Sequence, residues 1–347
     1  MSRRVLVAMS GGVDSSVAAA LLQRDGYDVV GVMMRLWPHS AMHTASGCCS
    51  PDAAYVARRV AEQLDIPFYL LDFHQLFEQA VIQPFLAAYA QGKTPNPCVR
   101  CNGEVKFKAL LARALAMDAD LATGHYARIG DVSGQPVILR STDPKKDQSY
   151  FLWSTPRSAL GRLHFPVGGQ DKGTTRAIAQ ELGLINARRP DSQEICFVSG
   201  ELDQYLSAHV PGQLGPIVNR VGQVLGQHRG LAHYTVGQRK GLGIACSQPL
   251  YVLEMHPAAN TLVVGEQEEC LKDCFTVDTL NWHVDLPQAP LEVAVQVRHR
   301  AAPLAGLVQV EGNRAQVKLQ RPSFGVAPGQ SAVFYQDELL LGGGVIL

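Results

Sequence analysis

A short loop rich in glycine and hydroxyl side chains carries the clearest residues for phosphate chemistry. It runs Ser10-Gly11-Gly12-Val13-Asp14-Ser15-Ser16, between the apolar run Val5–Met9 and an Ala- and Leu-rich helical pattern over Ser15–Arg24. Two glycines let the backbone approach a phosphate, and the N–H groups and dipole of a helix start favour a pyrophosphate. The serines supply hydroxyl donors, and Asp14 could hold Mg²⁺. The plainer alternative is an ordinary turn from strand to helix.

The type of this loop narrows the chemistry. It lacks the Lys of the Walker-type loop and the third Gly of the dinucleotide fingerprint. The string Ser-Gly-Gly-x-Asp-Ser instead resembles the PP-loop of ATP pyrophosphatases. That resemblance implies an enzyme that splits ATP between the α and β phosphates. It also implies that AMP is placed on a carbonyl or amide oxygen, which then becomes a leaving group.

The eight cysteines suggest a second chemistry. Cys98 and Cys101 lie in the segment Thr94–Asn102, where two prolines predict a stiff extended loop that leads into a helix. Cys196 lies in the segment Asp191–Phe197. A single CxxC pair cannot fill a tetrahedral zinc site, and the sequence has no second pair. The remaining cysteines are interpreted as structural residues: Cys48, Cys49, Cys246, Cys270 and Cys274.

The first half of the chain alternates apolar runs with helical patterns. The predicted strands are Val5–Met9, Val29–Met34, Phe68–Phe73 and Asp120–Thr123, and the predicted helices are Ser15–Arg24, Asp52–Leu64, His74–Ala90 and Glu104–Met117. Ser50 and Pro51 form a typical helix start. This alternation predicts a parallel sheet with helices on both faces, and ligands bind at the carboxyl ends of such strands. The Gly-rich loop follows the first strand.

The second half of the chain is predicted to be mostly β. Gly and Pro become frequent in Val210–Gly243, and short β runs follow from about Leu271. The predicted runs are Glu292–Arg298, Gly306–Val310, Ala315–Leu319, Ala332–Tyr335 and Leu339–Leu347. We therefore expect an α/β protein with a Rossmann-like PP-loop domain over residues 1–200, a small β-rich domain over 201–269 and a β-barrel over 270–347.

Composition excludes some functional classes. The 347 residues are 46% apolar and 18% charged, with a formal net charge of zero. Such a chain is not expected to coat nucleic acid non-specifically, although a local basic face can still bind it. No signal peptide or membrane-spanning stretch is evident, so we expect a cytoplasmic protein with no membrane partner. In a reducing compartment, a disulfide scaffold is not expected.

Longer motifs make the resemblance specific: nearly the whole chain resembles the tRNA-uridine 2-sulfurtransferases of the MnmA/TrmU type. The motifs are Ala8-Met9-Ser10-Gly11-Gly12-Val13-Asp14-Ser15, Thr94-Pro95-Asn96-Pro97 running to Cys101-Asn102, Lys106-Phe107, Ala122-Thr123-Gly124-His125-Tyr126-Ala127, Lys146-Asp147-Gln148-Ser149-Tyr150-Phe151-Leu152, Asp191-Ser192 to Ile195-Cys196-Phe197, Tyr234-Thr235-Val236-Gly237-Gln238-Arg239-Lys240-Gly241, Pro328-Gly329-Gln330 and Leu341-Gly342-Gly343-Gly344.

The resemblance implies a reaction. ATP, with Mg²⁺, adenylates the 2-oxygen of a tRNA wobble uridine and releases pyrophosphate. Cys196 carries a persulfide that it receives from a sulfur-relay protein or cysteine desulfurase, and the outer sulfur attacks the activated carbon. Cys101 acts as the partner thiol, either by freeing sulfide or by closing a disulfide with Cys196. Both need thiolate character, for which Arg100 and Lys106 are candidate sources of positive charge.

Binding roles follow from the same resemblance. The adenine nucleotide is assigned to residues 8–15 together with Met34 and Gly124. The target base is assigned to Asn96, Pro97 and Cys98, and other parts of the tRNA to His125, Lys146, Asp147, Gln148, Arg298, His299 and Gln330. For Met34 and His125 the alternative is a purely structural role. Basic runs such as Arg58-Arg59 and Arg239-Lys240 could form a local tRNA-binding face.

One residue departs from the family pattern and leaves the sulfur chemistry open. Many relatives have Asp at the position of Cys98, and a thiol titrates too high to replace a carboxylate. Cys98, Cys101 and Cys196 could instead bind an iron–sulfur cluster with one iron open to sulfide. Two further alternatives are another PP-loop enzyme, such as an amide-forming ligase, and a non-catalytic RNA-binding protein.

Overall fold

The computed structural model describes residues 3–37, 50–191, 195–198, 200–246, 248–286 and 289–347. These residues form two compact units. The first unit takes in Met1–Val81, Cys98–Ser199 and Glu338–Leu341, and the second takes in Ile82–Pro97, Gly200–Asp337 and Gly342–Leu347. Cys48 and Cys49, interpreted above as structural, lie outside the described residues, as does Ser192. No helix among the described residues is long and apolar enough to cross a membrane.

The helical segments are mostly short. They are α1 (Val13–Arg24), α2 (Pro51–Gln63), α3 (His74–Phe77), α4 (Gln83–Ala90), α5 (Pro97–Arg100), α6 (Leu111–Leu115), α7 (Lys172–Glu181) and α8 (Leu202–His209). Two further stretches are π-helical, Glu78–Ile82 and Cys101–Leu110. Short 3₁₀ helices cover Ser149–Phe151, Arg157–Arg162, Leu231–His233, Pro257–Ala259 and Glu268–Cys270.

The strands fall into a parallel sheet, a small mixed sheet, a barrel and the antiparallel pair β5 and β6. They are β1 (Arg4–Ala8), β2 (Asp28–Arg35), β3 (Phe68–Asp72), β4 (Asp120–Thr123), β5 (Ala127–Val132), β6 (Gln135–Arg140), β7 (Leu163–His164), β8 (Gly215–Val218), β9 (Val224–His228), β10 (Tyr251–His256), β11 (Thr261–Gly265), β12 (Leu271–Trp282), β13 (Leu291–Gln296), β14 (Leu304–Glu311), β15 (Arg314–Phe324), β16 (Ser331–Gln336) and β17 (Leu339–Ile346).

The first unit is built on the predicted parallel sheet, with strand order β3-β2-β1-β4-β7. Val5 on β1 is aligned with Val29 on β2 and with Asp120 on β4, so β1 lies in the middle of the sheet. Residues of α1, α2 and α7 share one apolar core with these strands. The sheet thus holds the Gly-rich loop at the carboxyl end of its central strand.

Local sequence signals explain the confirmed elements of this unit. The Ser50 side chain caps α2 by accepting from the Ala53 N–H at 3.2 Å, and Pro51 occupies the first turn. The strand and helix alternation is confirmed for the first half, although the antiparallel pair β5 and β6 was not predicted.

The extended loop expected over Thr94–Asn102 is wrong in its second half. The chain is helical from Pro97, first in α5 and then in the π-helical stretch that begins at Cys101. Proline has no N–H to donate and its φ suits the first helical turn, so Pro97 begins the helix instead of prolonging the extended chain. Cys98 and Cys101 therefore both lie on helical backbone.

The second unit contains the predicted β-rich regions. Strands β8–β11 form a sheet of order β10-β11-β8-β9. Six antiparallel strands, β12-β15-β14-β13-β16-β17, close into a barrel through the pairing of β12 with β17. The C-terminal β-barrel is therefore confirmed, although the 12-residue strand β12 had not been predicted. The predicted boundaries between the domains stay predictions.

Candidate functional site

The Gly-rich loop leaves β1 and turns directly into α1. Gly12 is the N-cap residue of α1 and has no side chain that could cap the first N–H groups. Ser15 Oγ and Ser16 Oγ donate to the Gly12 carbonyl at 3.2 and 3.0 Å. Ser15 Oγ also accepts from the Ser10 N–H at 3.2 Å. The serines therefore shape the loop, and a phosphate would meet chiefly the N–H groups of the helix start.

Gly11 is fixed by packing and by a distant side chain. Its φ of +70° lies in the left-handed region, and a Cβ there would lie 2.5 Å from the Ala53 carbonyl oxygen. The buried Asn186 donates from Nδ2 to the Gly11 carbonyl at 3.0 Å and to Ser16 Oγ at 2.9 Å. The loop conformation therefore depends on glycine at this position and on a residue 175 positions later in the chain.

Asp14, in the first turn of α1, lies in a network of charged side chains. Lys172 Nζ, at the start of α7, lies 2.6 Å from Asp14 Oδ1 and 2.7 Å from Asp191 Oδ1. Asp191 also pairs with Lys146 at 2.7 Å and with Arg176 at 2.9 Å. The network therefore joins the Gly-rich loop to the start of the segment that carries Cys196.

Two groups of this network, Asp191 and Tyr126, have displaced pKa values. Burial would raise the pKa of Asp191, but hydrogen bonds and charges from Lys146 and Lys172 lower it to about 2. The Tyr126 hydroxyl donates to Asp14 Oδ1 at 3.0 Å, and burial raises the pKa of this hydroxyl well above its usual range. Near neutral pH, Asp191 is therefore an anion and Tyr126 a neutral donor.

Asp14 fits a magnesium ion that arrives together with a phosphate. Its side chain is 30% exposed, although Oδ1 faces Lys172. Magnesium is usually held by one or two carboxylates plus substrate phosphates and water. Across the described ranges, no three His, Cys, Asp or Glu side chains are grouped so that they could hold a metal ion without a substrate.

The two residues assigned to adenine are tightly packed. A Cβ on Gly124, just after β4, would lie 2.6 Å from the Ser15 N and 2.7 Å from the Asp14 carbonyl carbon. Gly124 therefore lets the end of β4 approach the first turn of α1. Met34 on β2 is 8% exposed, and its neighbour Met33 belongs to the core cluster shared with α1 and α2. Both positions stay predictions for adenine binding.

The three cysteines of the predicted sulfur site differ in exposure. Cys98 is exposed, Cys101 is buried at 9% exposure, and Cys196 is half-buried. Cys98 and Cys101 are three residues apart on helical backbone, a spacing that brings side chains to neighbouring positions. These three lie among the described residues, where no group of three ligands fits a metal. The conformation therefore does not assemble the three thiols into a cluster site.

Polar side chains beside the cysteine helix are held in fixed states. Lys106 Nζ donates to Asn102 Oδ1 at 2.9 Å, and the buried Asn102 donates to the Phe151 carbonyl at 3.0 Å. His125 Nδ1 shares a hydrogen bond of 2.6 Å with Thr123 Oγ1. Burial, and then the charge of Lys106, hold the pKa of His125 well below its usual value of 6.5. His125 is therefore neutral at pH 7.

The three consecutive residues assigned to tRNA in the first unit are Lys146, Asp147 and Gln148. The Asp147 carboxylate, 9% exposed, accepts from Arg140 at 2.8 Å and from the Ser149 hydroxyl at 2.9 Å. Gln148 Oε1 accepts from the Tyr126 N–H at 2.9 Å. These hydrogen bonds fix the conformation of the loop around Asp147. If Asp147 contributes to tRNA binding, it therefore does so by fixing that conformation.

The residues assigned to tRNA in the second unit also make internal contacts. Gln330 Nε2 donates to the Thr94 carbonyl at 2.7 Å, two residues before the half-buried Asn96. Arg298 donates to the Gly325 carbonyl at 2.9 Å and to the Val236 carbonyl at 3.0 Å. His299 is exposed, and Pro97 is buried. Gln330 thus fixes the backbone beside Asn96, which is predicted to meet the target base, and Arg298 fixes the backbone at Gly325 and Val236.

Sequence reasoning missed several polar residues around the Gly-rich loop. They are Tyr126, Lys172, Arg176 and Asn186. The Asp171 side chain accepts from the Thr174 N–H at 2.8 Å, an N-cap signal that could have predicted the start of α7. Nothing local in the sequence shows that this helix start meets a loop 158 residues earlier.

Family models match the chain in three consecutive stretches. They are the tRNA methyl transferase HUP domain over residues 3–200, the tRNA methyl transferase PRC-barrel domain over 203–266 and the aminomethyltransferase beta-barrel domain over 272–346.

Curated relatives match over nearly their whole length. The tRNA-specific 2-thiouridylase MnmA of Thermus thermophilus is 49% identical over 355 residues, which cover 99% of this chain and 95% of that protein. The protein of the same name from Deinococcus radiodurans is 47% identical over 349 residues, covering 99% and 92%. A solved complex of a 4-thiouridine synthetase with RNA and ATP has a TM-score of 0.34 at 18% identity, covering 60% of this chain and 50% of that chain.

Proposed function

This chain belongs to the family of tRNA-specific 2-thiouridylases, and we propose on that basis that it replaces the 2-oxygen of a tRNA wobble uridine by sulfur in an ATP-dependent reaction. The observation that carries the proposal is that one compact unit contains both the Gly-rich loop and the two cysteines, Cys101 and Cys196. Activation of an oxygen and delivery of sulfur need these two kinds of group together.

The first proposed step is adenylation. ATP lies with its phosphates at the start of α1, where residues 8–15 supply backbone N–H groups, while Met34 and Gly124 border the adenine. The uridine 2-oxygen attacks the α-phosphorus, and the bond to the pyrophosphate breaks. Magnesium, held by Asp14 and phosphate oxygens, would neutralise charge on the leaving pyrophosphate. The uridine C2 is then electrophilic, with AMP as its leaving group.

The second proposed step delivers sulfur. Cys196 carries a persulfide supplied by a sulfur-relay protein or a cysteine desulfurase, and its outer sulfur attacks C2 as AMP leaves. The Cys101 thiolate then attacks the Cys196 sulfur and breaks the S–S bond. The products are 2-thiouridine and a Cys101–Cys196 disulfide, which an external thiol reduces before the next turnover. Half-buried Cys196 has the partial exposure expected of a reactive thiol, whereas Cys101, also expected to be partly exposed, is buried in the described conformation.

The remaining residues are proposed to position the tRNA. Asn96, Pro97 and Cys98 would surround the target base once it is turned out of the anticodon loop. We propose that His125, Lys146, Asp147, Gln148, Arg298, His299 and Gln330 contact other parts of the tRNA or fix the segments that do. A neutral His125 would contribute a hydrogen bond or a ring contact instead of a positive charge.

An iron–sulfur cluster on Cys98, Cys101 and Cys196 is the second candidate for the sulfur chemistry. Only the spacing of Cys98 and Cys101 on helical backbone supports it, because the described conformation does not group the three thiols. Iron and labile sulfide analysis of anaerobically purified protein separates the two routes. Absence of both, with full activity from a persulfide donor, would exclude the cluster.

The proposed function is tested with ATP, unmodified tRNA and a persulfide donor, followed by digestion of the tRNA and a search for 2-thiouridine. We expect 2-thiouridine with the wild type and none with Cys101→Ser or Cys196→Ser. Cys274→Ser, at an exposed thiol on β12, is the matched control and should keep wild-type activity. Unchanged 2-thiouridine formation by Cys196→Ser would contradict the proposed role of Cys196 as the persulfide carrier. No 2-thiouridine with the wild type, aerobically or anaerobically, would overturn the assignment.

A further inference from the structure

The Gly-rich loop has little positive charge of its own for the phosphates it is proposed to bind. Its sequence contains no Lys or Arg between Ala8 and Ser16. The hydroxyls of Ser15 and Ser16 are directed to the Gly12 carbonyl. A triphosphate carries several negative charges, and phosphate-binding loops of other types supply a lysine within the loop. The cation must therefore come from another element.

Helix α7 places a lysine directly against the loop. Lys172 is the first residue of α7, and the Asp171 side chain caps the helix by accepting from the Thr174 N–H. The Lys172 side chain is only 11% exposed, and its Nζ lies 2.6 Å from Asp14 Oδ1. A buried ion pair contributes little net stability in general, because both charges lose their hydration. The burial of Lys172 beside the Gly-rich loop therefore suggests a functional contact more than a stabilising one.

A second carboxylate, Asp191, would keep Lys172 in place if the ion pair between Lys172 and Asp14 broke. Asp191 Oδ1 lies 2.7 Å from Lys172 Nζ and stays ionised near neutral pH. Lys146 and Arg176 hold Asp191 from other directions. A phosphate oxygen can thus replace Asp14 as an ion-pair partner of Lys172, and the buried ammonium stays paired with Asp191 throughout. Asp14 would at the same moment become available to a magnesium ion.

We propose that Lys172 is the phosphate-binding cation of this loop and that its ammonium contacts the pyrophosphate portion of ATP while Asp191 retains it. The inference rests on the proposed use of ATP. It adds a contact that the loop sequence lacks, and it gives the Asp191 segment a direct link to the nucleotide. The alternative is that Lys172 only neutralises two carboxylates and has no contact with the nucleotide.

The test measures binding by calorimetry, with Mg²⁺ present and tRNA absent, for inorganic pyrophosphate, ATP and AMP. Lys172→Met should weaken pyrophosphate and ATP by about 10- to 100-fold, the usual effect of a charge-assisted hydrogen bond, and leave AMP within about twofold. Lys108→Met is the control, because the exposed Lys108 pairs with Glu104 at 2.9 Å and not with the carboxylates of the Lys172 network. It should change none of the three affinities by more than about twofold.

The double variant Lys172→Met/Asp191→Asn separates binding from folding. Asp191 still pairs with Lys146 and Arg176 after Lys172→Met, so its removal should lower thermal stability further without weakening pyrophosphate binding beyond the single variant. Pyrophosphate binding should remain weak if Lys172 contacts the phosphate. Recovery of pyrophosphate binding in the double variant would overturn the inference, as would equal weakening of AMP and pyrophosphate in Lys172→Met. Failure of the wild type to bind ATP or pyrophosphate would instead refute the proposed function.

Discussion

Replacement of Gly124 by alanine tests how closely the end of β4 packs on the nucleotide loop. The added Cβ would lie 2.6 Å from the Ser15 N, 2.7 Å from the Asp14 carbonyl carbon and 2.9 Å from the Ser15 Cα. Ordinary contacts begin at 3.4 Å, so the backbones must separate by about 0.8 Å, the difference between 3.4 and 2.6 Å. All three atoms belong to the first turn of α1, and no flexible side chain can move aside.

The expected cost follows from this geometry. Overpacking of a close backbone contact costs about 1–3 kcal/mol. For a unit of this size that corresponds to a fall in melting temperature of about 2–12 °C. Because Asp14 and Ser15 belong to the loop itself, we also expect ATP affinity to fall by roughly tenfold, equivalent to about 1.4 kcal/mol.

Differential scanning calorimetry and ATP titration of the same preparations measure both effects. Gly169→Ala is the matched control, because Gly169 has nothing within 4 Å of a Cβ and is not in the left-handed region. It should stay within about 0.5 kcal/mol of the wild type. If the two variants have the same stability and the same ATP affinity, the inference that the end of β4 packs closely on α1 is contradicted. Lower ATP affinity with unchanged stability would indicate direct contact with adenine instead.

Three further predictions concern single side chains. Asn186→Ala should destabilise the protein by about 1–3 kcal/mol in urea unfolding, since the Gly11 carbonyl loses a buried donor; an unchanged midpoint would show that the loop does not depend on it. The pKa of His125 is lowered, so its contribution to stability is present above pH 6.5 and declines as the pH falls below that value. His125→Gln should therefore flatten the fall in melting temperature between pH 7 and pH 5, and an unchanged slope would contradict this reasoning. The pKa of Asp191 is also lowered, so its contribution, on the order of 1–2 kcal/mol after solvent screening, is present above pH 3.8 and is lost as the pH falls toward about 2. Acid unfolding of Asp191→Asn should lack this component, and an acid transition like that of the wild type would refute it.

Short-range signals were sufficient for the elements that build the first unit. The apolar run at Val5–Met9 and the Ser50-Pro51 start predicted β1 and α2 to within a residue or two, because burial and capping act on neighbouring residues. The Gly-rich loop was placed correctly for the same reason. Pro97 was misjudged because proline suits both an extended segment and the first turn of a helix, and the local sequence does not distinguish them.

Contacts between distant segments could not be predicted from local patterns. Lys172 meets Asp14 across 158 positions, and Asn186 meets Gly11 across 175. Each of these side chains has an ordinary sequence neighbourhood, and only the parallel sheet brings α7 and its following segment to the start of α1. The family resemblance predicted the residues of the Gly-rich loop. It did not predict the distant side chains that fix the conformation of this loop.

The internal contacts of the residues assigned to tRNA change how their roles should be understood. Asp147 is 9% exposed and already accepts from Arg140 and Ser149, so its carboxylate has little surface left for an RNA hydroxyl. Gln330 uses its amide on the Thr94 carbonyl, and that contact lies two residues before Asn96. Breaking such a bond to reach the tRNA would leave a buried group unsatisfied and would cost about 1–3 kcal/mol. We therefore propose that these side chains support the neighbouring backbone in the shape that the tRNA meets, and that the exposed residues His299 and Cys98 make direct contacts.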